Sequence, residues 1–234
     1  MWQTAAIMDA KQAIQRLQEL GTAQNRKVYA RHDASAETFG VLWADMRKVS
    51  KAIGRDQEVA DALWATAAFE PQVVACMVAE PLSFKRTDVE RWARESSSRA
   101  VADEFAKDIV MKTGWAEPLA KKWIVMKGEI QQRTGWTTYG LLAAKGETPD
   151  SVFLDLLPVI ERDIHSSANW TTEAMNYTLI AIGGRSPVLR KAAIASAKRI
   201  GYVHVDQGET YCKTREAIPY IEKIWARKEA GTAR

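Results

Sequence analysis

The sequence predicts an all-α protein, a right-handed solenoid of stacked helical hairpins with one concave, basic groove. Three observations lead there. Apolar residues recur at steps of three and four along most of the chain. Helix start and stop signals fall at short, regular intervals, and no convincing strand alternation appears except over residues 202–205, in a stretch otherwise read as a loop (201–210). The hairpin spacing is roughly the ~40 residues of HEAT-type repeats. Each hairpin buries little alone, and stacking makes one continuous core.

In chain order, residues 1–20 form an amphipathic helix. Residues 39–51 place Phe39, Leu42, Trp43, Met46 and Val49 on one helical face, residues 56–68 carry Val59, Leu63 and Trp64, and residues 72–78 follow an interruption at Pro71. Thr87 and Glu90 have capping-box spacing. Ser96, Ser97 and Ser98 separate that helix from one over 99–112, which Gly114 closes. Pro118 fits the first turn of the next, ending near 127–128. A helix over 129–144 stops at Gly146. Thr148–Pro149 and Ser186–Pro187 are start signals of N-cap followed by proline, and Gly183 and Gly184 end the helix between them.

Composition narrows the function. The 234 residues are 47% hydrophobic, enough for a single repeat domain over 1–234 with a substantial core and too apolar for a disordered chain. Thirty-three Lys and Arg against 29 Asp and Glu leave a formal charge of +4, which permits a polyanionic partner without requiring one. The two cysteines, Cys76 and Cys212, suit reduced thiols and a cytoplasmic location. No uncharged apolar run approaches the ~18 residues of a membrane span, and His32, His165 and His204 have no neighbours that would make a metal set.

Charge is uneven. Residues 183–202 contain Arg185, Arg190, Lys191, Lys198 and Arg199 and no acid, with Ser186 heading a helix whose free N–H groups favour anions. This is either a solvated face or a DNA-binding groove wall. Lys121, Lys122 and Lys127 form a second basic group.

Several stretches together resemble the DNA alkylation repair family of HEAT-like repeat alkylpurine DNA glycosylases: Tyr29-Ala30-Arg31-His32, Phe39-Gly40-Val41, Leu63-Trp64 with Glu70, Val101-Ala102-Asp103-Glu104-Phe105, Arg133, and Glu173-Ala174-Met175-Asn176-Tyr177. The segment 205–214 resembles a tail found in one branch of it. The resemblance implies a monomer that wraps double-stranded DNA and hydrolyses the N-glycosidic bond of N3- or N7-alkylated purines without metal or organic cofactor. It implies Asp103 as the carboxylate beside the sugar, Arg133 at the DNA backbone and Tyr177 as an aromatic flanking the lesion.

The chemistry is coherent. As the bond to a cationic purine breaks, positive charge develops on the deoxyribose, and a carboxylate stabilises it. Each residue also has a plainer role. Asp103 lies four residues from both Arg99 and Lys107 on the expected helix and suits a surface ion pair. Arg133 could pair with Glu129, and Tyr177 could pack in the core.

One departure matters. The family pattern Trp-Asp-x-x-Asp reads here Arg99-Ala100-Val101-Ala102-Asp103. An aromatic face attracts a cation by ~0.5–2 kcal/mol, whereas a like charge at ~4 Å and an effective dielectric of ~20 costs about 4 kcal/mol. Arg99 therefore works against action on cationic purines, and it is also suited to a DNA phosphate. Glycosylase activity, catalytically silent binding of distorted or branched DNA, and a protein-interaction scaffold are the three functions to be weighed.

Overall fold

The computed structural model describes residues 8–32 and 37–232. Thirteen α-helices and two short 3-10 turns make up its regular structure, with no strand among the described residues. The chain divides into two compact units. One runs to Trp115 and includes 208–210; the other comprises 116–207 and 211 onward.

The N-terminal unit contains α1 (Ala10–Leu20), α2 (Ala23–His32), α3 (Trp43–Ile53), α4 (Gln57–Trp64), α5 (Phe69–Val78), α6 (Arg86–Glu95) and α7 (Arg99–Asp108). Of the helix expected over 1–20, residues 1–7 lie outside the described residues. α5 is the hub and packs against α3, α4 and α7. Its residues 69–76 are all buried, so the apolar run reads as a central helix rather than an amphipathic one. Trp64 and Trp92 stack at 3.9 Å between ring centroids, with the edge of Phe84 against Trp92 at 4.9 Å. Such pairs add about 0.5–1.5 kcal/mol each beyond burial. Gln72, wholly buried, donates to the carbonyls of Trp64 and Glu95 and accepts from the Ser97 N–H, joining α4, α5 and the turn before α7.

The C-terminal unit stacks α8 (Ala116–Trp123), α9 (Glu129–Lys145), α10 (Asp150–Asp163), α11 (Asn169–Gly183), α12 (Pro187–Ile200) and α13 (Ala217–Thr232). α9 packs on α11 and α11 on α13, while α10 packs on α12. This like-on-like stacking of successive hairpins is what a helical-repeat solenoid requires. α11 is buried without a break from Thr171 to Asn176, and its internal threonines satisfy their hydroxyls on backbone carbonyls, as Thr178 does on Trp136 and Ala174.

Most local signals are realised. Ser98 caps α7 and Ser186 caps α12, each accepting a backbone N–H at 3.3 Å, with Pro187 opening the helix. Gly146 ends α9 at φ 90°, a conformation open to glycine.

Three differ. Pro71 lies inside the first turn of α5, where its missing N–H is one the helix could not use. The box expected at Thr87 and Glu90 does not form: α6 starts at Arg86, Asp88 accepts the Lys85 N–H, and Glu90 pairs with Arg86. α10 begins after Pro149 rather than at it. The loop expected over 201–210 is realised: no strand forms at 202–205, where Val203 and Val205 are buried and Tyr202 and His204 exposed.

Candidate nucleic-acid interface

In the N-terminal unit, a cleft of about 240 Å³ is lined by Tyr29, His32, Thr38, Trp43, Phe69, Ser98, Arg99, Ala100 and Asp103. Asp103 and Arg99, both half-buried on the first turns of α7, therefore face the same space. Its walls are aromatic. Tyr29 meets the edge of Phe69 at 5.2 Å and Trp43 meets it at 6.2 Å. The Tyr29 hydroxyl donates to the Val41 carbonyl at 2.7 Å, and burial, with Glu70 nearby, pushes its phenol above the ordinary value of 10.0.

Glu70 lies behind this cleft and ties down the loop that carries Thr38. Its buried carboxylate accepts the Thr38 hydroxyl at 2.7 Å and the backbone N–H groups of Phe39, Gly40 and Val41 at 2.7–3.0 Å. Gly40 stands at φ 80°, and a Cβ there would come within 2.4 Å of the Thr22 carbonyl oxygen. The loop can take this path past α2 only with glycine. Sequence reasoning assigned Tyr29 and Glu70 to the resemblance and Trp43 to a packed helical face. That Tyr29 and Trp43 line one cleft with Asp103, with Glu70 behind it, emerges from the fold.

In the C-terminal unit, Arg133 on α9 is 2% exposed. Its Nη1 donates to Glu173 Oε2 at 2.8 Å and to the Trp170 carbonyl at 3.0 Å. Glu129, the neighbour suggested by helical spacing, instead accepts the Trp170 N–H at 2.6 Å. Glu173 Oε1 accepts from Gln207 at 3.0 Å and lies 3.5 Å from the Tyr177 hydroxyl. Tyr177 is half-buried, and the Arg215 guanidinium stands over its ring at 5.0 Å.

Asp206 and Arg215 are held to α11. Asn169 exchanges hydrogen bonds with the Asp206 backbone at 2.8 and 2.7 Å, and Asn176 donates to the Arg215 carbonyl at 2.7 Å.

The acid-free run 183–202 acquires acids from neighbouring helices. Arg185 donates to Asp150 at 2.7 Å and to the carbonyls of Ala143, Gly146 and Thr148, with its guanidinium over Phe153. Ser186 and Arg185 hold the Asp150 carboxyl below its usual range. Arg190 pairs with Glu222 and lies over Trp225 at 5.0 Å. Arg199 makes a two-pronged bond to Glu161 at 2.7 and 2.6 Å, the main reason Glu161 falls to about 2. Lys191 and Lys198 are exposed, one heptad apart on a single face of α12, and make no ion pair among the described residues. Lys121, Lys122 and Lys127 are exposed as well. Among the described residues no group of three or more His, Cys, Asp and Glu could hold a metal ion, and no helix is long and apolar enough to cross a membrane.

Hairpins stacked like on like, with a carboxylate-bearing aromatic cleft in one unit and a basic outer helix in the other, define a HEAT-like helical-repeat protein. The chain belongs to the DNA alkylation repair enzyme family, whose model matches residues 13–221. An uncharacterized protein of Listeria innocua is 28% identical over 214 residues, spanning 88% of this chain and 93% of the relative. One of Listeria monocytogenes is 26% identical over the same length and shares. A solved structure matches with a TM-score of 0.83 at 28% identity, covering 94% of this chain and 95% of its own. It represents a new family of proteins related to the HEAT-like repeat DNA glycosylases with affinity for branched DNA structures.

Proposed function

We propose that this chain binds distorted or branched DNA through the phosphate backbone and releases alkylated purines weakly or not at all. The observation that carries this reading is Arg99 lining the same cleft as Asp103. A cationic purine brought to Asp103 would meet a fixed positive charge where an aromatic face would otherwise help it. Tyr177, the second aromatic position, already carries a guanidinium over its ring. Both platforms suited to a cationic base are thus matched with cations, which suit phosphates instead. The branched-DNA affinity of the structural relative supports the same choice of ligand. Lys191 and Lys198, exposed and without acid partners among the described residues, are the proposed backbone contacts on α12, joined by the outer edges of Arg190 and Arg199. Arg133 and Arg185 serve the scaffold through their internal bonds.

A second reading, glycosylase action on N3- or N7-alkylated purines, is favoured by the aromatic walls around Asp103. In that case Asp103 stabilises the sugar cation, the base leaves with the bonding electron pair, and water adds to the sugar carbon. One experiment separates the two. The protein is incubated with duplex containing methylated purines, base release is followed, and affinity for a three-way junction and a matched duplex is titrated in parallel. The proposed function expects junction binding that weakens on the order of 10³-fold between 50 and 200 mM salt, if about six phosphates are contacted, with release at background. It expects Arg99→Trp to raise release. Release by the parent protein at a rate that Arg99→Trp does not improve would establish the second reading instead.

A further inference from the structure

We infer that Arg215 is a dedicated DNA-phosphate contact, prearranged by two tyrosine rings from different helices. This rests on the DNA-binding reading and names a residue for it. Arg215 lies on the extended segment before α13. Its guanidinium carbon is 5.0 Å from the ring centroid of Tyr177 on α11 and 5.0 Å from that of Tyr220 on α13. Its backbone carbonyl is pinned by Asn176. The residue is nevertheless exposed.

The neighbouring arginines set the contrast. Arg133, Arg185, Arg190 and Arg199 each meet a carboxylate. Arg215 meets none among the described residues, although Glu216 is next in the chain and Glu222 lies two turns into α13, where it takes Arg190. Lys223 adds a second cation over Tyr220 at 5.8 Å.

The chemistry follows from what the rings leave open. Two aromatic rings hold the guanidinium by cation–π attraction, which leaves its N–H groups without a carboxylate acceptor among the described residues. Such a fork of donors matches two oxygens of one phosphate. A side chain already confined loses less freedom on binding than a free surface lysine.

The test compares the full chain with Arg215→Ala, Arg215→Gln and Arg215→Lys, using a labelled three-way junction and matched duplex over 50–200 mM salt. Removing the charge is expected to weaken both complexes about three- to tenfold at the low-salt end and to lower the log–log salt slope by about 1. Arg215→Lys should keep the slope and lose part of the affinity. A thermal melt accompanies each variant. If Arg215→Ala unfolds, the slopes of Arg215→Gln and Arg215→Lys decide. A parent that binds DNA while Arg215→Gln matches it in affinity and slope overturns this inference and leaves the DNA-binding reading standing. A parent with no DNA affinity at low salt overturns both.

Discussion

Replacing either partner of the Arg133–Glu173 pair should unfold the protein far more readily, without that loss being a DNA effect. Both side chains are 3% exposed and the donor–acceptor distance is 2.8 Å. In Arg133→Met or Glu173→Leu, one ion stays buried without its counter-charge. Breaking a buried pair in this way costs about 3–5 kcal/mol, roughly a hundred- to a few-thousand-fold in the unfolding equilibrium. For a chain of this size the melting midpoint should fall by roughly 6–20 °C. The double variant Arg133→Met/Glu173→Leu removes both ions and should recover most of the loss, because well-packed apolar replacements of buried pairs are often neutral. Melting curves of the four proteins, with junction affinity measured below each midpoint, complete the cycle. The reasoning fails if Arg133→Met melts with the parent while its DNA affinity drops: Arg133 would then be a phosphate contact.

Two further outcomes concern stability. Glu161, held at about 2 chiefly by Arg199, has its folded-state value depressed, so its contribution is present above its ordinary 4.5 and fades as pH falls from there toward 2. Arg199 is 60% exposed, so solvent screening keeps the effect small. Glu161→Gln should flatten that acid limb in pH-dependent denaturation, and an unchanged limb would count against the assignment. Glu70→Ala removes the carboxylate that accepts three backbone N–H groups and the Thr38 hydroxyl, leaving the Gly40 N–H only the Thr38 Oγ1. At about 1–3 kcal/mol for each unsatisfied buried group, it should cost roughly 2 kcal/mol or more, with urea midpoints as the measure. A loss below 1 kcal/mol would show that water replaces the carboxylate.

The helices were legible because their signals are local. Ser98, Ser186–Pro187 and Gly146 act on the backbone within a few residues, and the apolar steps at Met46, Val49, Val59, Leu63 and Trp64 name buried faces, whereas Phe39 and Leu42 precede α3 and Leu42 is exposed. The Thr87–Glu90 box does not form because the same spacing two residues earlier, with Asp88 serving the N–H of the N-cap Lys85, competes with it. The alternation at 202–205 was real, but it reports one face laid against the protein rather than a paired strand.

The site was legible only in part, for the opposite reason. The acids that meet Arg133, Arg185, Arg190 and Arg199 lie more than thirty residues away in sequence, so an acid-free run says little about the charge of the folded surface. Asp103 and Arg99 could be named as neighbours from helical spacing. Tyr29, Trp43 and Phe69 reach their cleft from three other elements, and Arg215 reaches Tyr177 across a loop, where no periodicity connects them.

Glu173 turns one oxygen toward a buried guanidinium and the other toward Gln207 and the Tyr177 hydroxyl, while Tyr177 in turn bears Arg215. Interior and surface therefore share a single carboxylate. Substitutions at 133, 173, 177, 207 and 215 will not sum, and coupling energies of about 0.5–3 kcal/mol are expected between neighbours. An alanine scan taken one position at a time would credit the same interaction to several residues. Only paired replacements can apportion what this cluster contributes to holding the chain together and what it contributes to holding a ligand.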